Sequence, residues 1–145
     1  MFDSFRARVG VVMIAQNKIL LLRNTKQAPP SLFLPSGVVR LGETLEDAAK
    51  RVVKEQTGLD VDLQKLLYIY DNIKENGNKH RLDVLFFAKP KDVQIVNQNF
   101  ADLKLDWINI DLLPSLELNP KILRTQLLKD WKEGFKNCGK YLKLA

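Results

Sequence analysis

The residues able to do chemistry gather in one stretch. Gly37 is followed by five residues and Glu43, then by seven more and Arg51, with Glu55, Gly58 and Leu59 next. Carboxylates three or four positions apart on a helix share one face. Oxygen ligands of that kind suit a hard divalent cation. Other familiar sites do not occur. There is no Walker phosphate loop and no Rossmann glycine fingerprint. His80 is the single histidine, so a His-rich zinc site is excluded, and any Ser-His-Asp triad would have to use it. No nucleophile-elbow motif accompanies it, and His80 reads as a hairpin-end residue. Cys138 is the single cysteine; it has no disulfide partner in the chain and no neighbours of a zinc site.

A helix predicted over 44–57 positions this stretch. Thr44 is its N-cap, with Asp47 three residues on as a variant capping box. Glu46 and Asp47 suit the helix N-terminus. Leu45, Ala48, Ala49, Val52, Val53 and Gln56 fall on one stripe, and Gly58 suits the left-handed position after the helix. Apolar runs at 9–14 and 19–22 flank Gln16-Asn17-Lys18 and predict paired strands. Residues 25–31 read as a loop containing Pro29-Pro30, and a short strand at 32–34 stops at Pro35-Ser36-Gly37. Strands at 61–70 and 82–88 flank a hairpin turn, Asn76-Gly77-Asn78. Shorter candidates lie at 93–96 and, around Trp107, at 105–110. A last helix at about 120–136 takes Asn119 as cap and Pro120 as its first residue. Its Leu123, Leu127, Trp131 and Phe135 face a core. Strands, helix, strands, helix is an α+β order.

The chain has 145 residues, 46% hydrophobic and 28% charged, which predicts one domain spanning 1–145 with a real core. It excludes a mainly disordered chain, a collagen-like repeat and a coiled coil. No apolar run approaches a membrane span, and the N-terminus lacks the apolar segment of a secretory signal. With one cysteine, a reducing, cytoplasmic location is the simplest expectation. Twenty-three Lys and Arg against 17 Asp and Glu leave +6, compatible with nucleotides or RNA. The basic run from Lys121 to Lys143 reads first as a solvated helix face.

The stretch from Gly37 to Leu59 resembles the Nudix box, G-x5-E-x7-R-E-U-x-E-E-x-G-U, where U is a bulky aliphatic residue. Gly37, Glu43, Arg51, Val53, Glu55, Gly58 and Leu59 match it, and Leu34-Pro35-Ser36-Gly37 resembles the family's Leu-Pro-Gly-Gly lead-in. The resemblance implies a Nudix-type α/β/α sandwich with a mixed central sheet. It implies hydrolysis of a pyrophosphate bond in a nucleoside diphosphate derivative, with Mg or Mn neutralising phosphate and activating water. It also implies Glu43 and Arg51 as a structural pair, Glu55 as catalytic residue and metal ligand, and the Gly37 carbonyl as a further metal ligand. A homodimer is left open.

The box is incomplete at two places. Val52 stands where the family has its first helix glutamate, and Gln56 where it has the last. Val52 cannot bind a cation, and Gln56 offers only a neutral carbonyl, so weakened metal binding is expected. Asp102 and Asp106 precede Trp107, where the family often places an extra ligand or base; Asp102 is a candidate ligand and Asp106 a candidate catalytic residue. Arg23, Arg40 and Lys54 are candidate phosphate contacts. Phe33, Tyr68, Tyr70 and Phe86 would stack on a base or fill the core. Three functions compete: a pyrophosphohydrolase of low activity, an impaired module that binds a nucleotide or related ligand for regulation, and, less favoured, an RNA-facing module.

Overall fold

Alternation along strand β1 (Ser4–Ala15) sets the architecture. Val9, Val11 and Met13 face one side of the sheet, and Val12 and Ile14 the other. Side chains alternate across a strand, so a central strand apolar at every position must be covered on both faces. The computed structural model describes residues 4–28, 31–74, 76–92 and 95–144. The remaining strands are β2 (Lys18–Asn24), β3 (Leu32–Phe33), β4 (Ser36–Val38), β5 (Val61–Ile73), β6 (Lys79–Pro90), β7 (Gln98–Phe100), β8 (Leu103–Asn109) and β9 (Lys140–Leu142). The sheet order is β7-β8-β2-β1-β6-β5-β9, with β3 on β2 and β4 on β1. β1 runs parallel to β6 and β5 parallel to β9; the other pairs are antiparallel. The sheet is therefore mixed.

Helix α1 (Leu45–Thr57) covers the first face, placing Ala48, Ala49, Val52 and Val53 on Val9, Val11, Leu20, Leu22, Leu105 and Trp107. Thr44 accepts from the Asp47 amide at its start, and Gly58 takes a left-handed φ of 75° at its end. Helix α2 (Ile122–Lys132) and the 3-10 turn Ile110–Ser115 cover the second face through Leu123, Leu127, Ile110 and Leu113. The result is an α/β/α sandwich with a mixed central sheet, the architecture that the resemblance implies.

Several boundaries differ from the sequence expectation. The last helix spans 122–132 rather than 120–136. Lys121 precedes it without a side-chain cap, and Gly134 and Phe135 both adopt positive φ, which ends it. Phe135 still packs on Trp131 and Phe87. In the candidate strand at 93–96, Val93 and Gln94 lie outside the described residues and Ile95-Val96 forms no strand; Pro29-Pro30 also lies outside them. β7 and β9 have no counterpart in the sequence expectation. Among the described residues, no helix is long and apolar enough to cross a membrane.

Candidate active site

The site lies on the seam between α1 and β4. Strand alternation divides the polar groups of β4. Pro35 O accepts from Val11 N, and Val39 N donates to Ala7 O, so the odd-numbered positions face β1. The carbonyls of Ser36 and Val38 face α1 instead. Gln56 Nε2 donates to Ser36 O at 2.9 Å, while Ser36 N donates to Gln56 Oε1 at 3.0 Å. Arg51 Nη2 donates to Val38 O at 2.9 Å. The expectation for the Gly37 carbonyl is corrected by this alternation. Gly37 pairs with Val9 in the ladder, and the carbonyl presented to the helix belongs to Ser36. A Cβ at Gly37 would lie 2.9 Å from a Val52 methyl, so glycine permits the close approach of strand and helix.

Arg51 gathers the acids. Its Nε lies 2.7 Å from Glu43 Oε2, its Nη2 3.0 Å from Glu43 Oε1, and its Nη1 3.3 Å from Glu55 Oε2. Arg40 N also donates to Glu43 Oε1 at 3.0 Å, and Arg40 Nη2 lies 3.5 Å from Glu55 Oε1. The Arg51 bonds, helped by the Arg40 amide, hold the Glu43 carboxyl well below the usual range, down to about 2. The fork-shaped guanidinium suits two-point carboxylate binding.

The other candidates go elsewhere. Asp106 pairs across strands with Leu21, which belongs to the α2-side core, so it lies on the sheet face away from α1. There it accepts from Arg23 Nε at 2.8 Å, which joins two sequence candidates to each other and neither to Glu55. The flanking Leu105 and Trp107 carry the signal: both face α1, so the residue between them cannot. Asp102 sits exposed in the β7–β8 turn, 3.3 Å from Lys26. Lys54 is engaged by Gly58 O and Asp60 at the end of α1. Val52 is buried.

Sequence reading missed the neighbouring cavity. About 360 Å³ in volume, it lies on the α2-side face and is lined by Arg8, Phe33, Ser36, Tyr70, Asp83 and Asn119, among others. Arg8 and Asp83 stand opposite in the β1–β6 register, 3.7 Å apart, where the polar ends of both strands meet their apolar runs; the opposite charges next to those runs were the available signal. Burial pushes the Asp83 carboxyl up. Arg8 Nη2 lies 3.4 Å from Ser36 Oγ. Ser36 thus faces the cavity with its side chain and α1 with its carbonyl.

The profile of the NUDIX domain matches residues 4–128. The chain belongs to the NUDIX family. An ADP-ribose pyrophosphatase of Methanocaldococcus jannaschii is 29% identical over 130 residues, covering 87% of this chain and 74% of that protein. An oxidized purine nucleoside triphosphate hydrolase of Mus musculus is 33% identical over 85 residues, covering 58% of this chain and 53% of that one. A NUDIX hydrolase structure from Nitrosomonas europaea superposes with a TM-score of 0.73 at 21% identity, covering 90% of each chain.

NUDIX hydrolases generally use divalent metals such as Mg or Mn. The side chains of this NUDIX seam do not fit a protein-held ion. Among the described residues, no three His, Cys, Asp or Glu side chains converge. Glu55 is the one carboxylate left at positions 52, 55 and 56, and both its oxygens already accept from arginines.

Proposed function

We propose that this chain hydrolyses the pyrophosphate bond of a nucleoside diphosphate derivative, at a low rate. One observation carries the reading: Ser36 joins a cavity of nucleoside size to the Glu43–Arg51–Glu55 seam, so a ligand seated in the cavity can lay its diphosphate along β4. The family match and the pyrophosphatase name of one relative support the same chemistry. In this reading the Arg40 and Arg51 guanidiniums offset phosphate charge. Water adds to phosphorus, one water proton passes to Glu55, and the bridging P–O bond breaks so that the second phosphate leaves carrying the bridging oxygen and its electron pair. The packing of Phe135 and Leu142 into the core of Leu123 and Leu127 supports counting residues 129–144 in the same domain. The free thiol of Cys138 is consistent with a reducing, cytoplasmic setting.

A panel of ADP-ribose, nucleoside diphosphates and nucleoside triphosphates, assayed with EDTA, magnesium or manganese, tests this reading. Turnover of at least one compound, lost in Glu55→Gln, is expected; no turnover of any compound under any condition sinks it. A second reading, ligand binding without turnover, is favoured by Val52 and Gln56, which remove two acids from α1. The RNA-facing reading has less support, since three of the seven basic residues from Lys121 to Lys143, Arg124, Lys132 and Lys140, are paired with Glu117, Asp111 and Asp130.

A further inference from the structure

Among the described residues, the disagreement between the family's metal and this seam extends to the backbone and side-chain oxygens named at it. Ser36 O accepts from Gln56, and Val38 O from Arg51. Glu43 Oε1 accepts from Arg40 N and Arg51, and Glu43 Oε2 from Arg51. Glu55 Oε1 and Oε2 accept from Arg40 and Arg51, and Gln56 Oε1 from Ser36 N. Two carboxylates and two guanidiniums sum to zero charge, which leaves a divalent cation no net negative charge to bind.

Gln56 decides this chemistry. Ser36 presents an N–H donor and a C=O acceptor to the same side chain. An amide answers both, because it carries one donor end and one acceptor end. A carboxylate there would keep the bond from Ser36 N. Its second oxygen would then stand about 2.9 Å from Ser36 O. Two acceptors at that distance need a proton or a cation between them.

We propose that the Gln56 N–H takes the place of a divalent cation between α1 and the Ser36 carbonyl, so that the free protein holds no metal ion and meets a diphosphate through arginine charge. The ligand part of this inference rests on the reading of the seam as the diphosphate site; the part about the free protein does not. Position 56 is thus a positioning residue that acts on substrate through Ser36.

Manganese titration of the metal-free protein, followed by electron paramagnetic resonance, tests the first part directly. No stoichiometric site is expected, and a single tight site would overturn the proposal whatever the variants do. Gln56→Glu and Gln56→Met separate the roles of donor and shape. Gln56→Glu is expected to melt lower than the parent in EDTA, and to regain stability on adding manganese or on acidification, since a protonated carboxyl can again donate to Ser36 O. Gln56→Met should lose stability and respond to neither. Equal manganese stabilisation of parent and Gln56→Glu would overturn the proposal. Calorimetry with ADP as probe tests the second part: the parent's affinity in EDTA should lie within about twofold of that in magnesium, and a tenfold gain with magnesium would overturn it. If ADP and ADP-ribose both fail to bind, the diphosphate-site reading fails, and the manganese arm still decides the status of Gln56.

Discussion

Glu43 accepts three of the site's hydrogen bonds on two oxygens, and its acidity follows from them. Its folded-state value, about 2, lies below the ordinary carboxylate value of 4.5. The stability it contributes is therefore complete above pH 4.5 and is lost as pH falls from there toward 2. Glu43→Gln should flatten the acid limb of the stability curve in that window, as read by urea denaturation at a series of pH values. At Glu55 the expected effect is on rate. Glu55→Gln should lower any pyrophosphatase turnover at least tenfold, equivalent to about 1.4 kcal/mol of barrier. Unchanged turnover in the folded variant would place the chemistry elsewhere. Arg51 and Glu55 were legible in the sequence because the helix fixes their spacing, and Glu43 because the box spacing places it just before the N-cap. The partners of Gln56 were not, because Ser36 lies twenty residues away on a strand whose pairing decides which carbonyls turn outward.

At the scale of elements, α1 was readable from end to end. Its N-cap, apolar stripe and terminating glycine are all local signals, and the helix observed is Leu45–Thr57 between Thr44 and Gly58. Thr44→Ala should cost about 1 kcal/mol in denaturant unfolding through loss of the bond to Asp47 N. A cost near zero would show that the seam, rather than the cap, holds the helix start. β7 and β9 were invisible for the opposite reason. Each has three residues, and each exists only through its pairing, β7 on β8 and β9 on β5. α2 was overextended because the spacing of Phe135 fits a helix, whereas Gly134 turns the chain and delivers the ring to the core by another route. The side of Asp106 was readable from its neighbours: Leu105 and Trp107 pack under α1, so the residue between them points to the far face.

The whole molecule places its cavity and seam beside central β1, and its last residues fasten an edge. Tyr141 donates to Asp71 at 2.6 Å, Lys140 lies 3.4 Å from the buried Asp130, and Leu142 enters the core. Removing residues 137–145 should lower the melting temperature, because Asp130 would keep its burial and lose a cation. The same removal has a consequence for how copies of the chain treat one another. β9 pairs with only Tyr68–Tyr70 of the thirteen-residue β5. Without it, that stretch of backbone N–H and C=O groups would lie open beside the exposed Leu66 and Ile73. An uncovered edge of this kind templates strand addition. Light scattering behind size exclusion should then show the shortened chain growing into larger species with concentration, while the intact chain does so less. Three residues at the end of the sequence would then act as a terminator of the sheet, limiting self-assembly at a place remote from any chemistry.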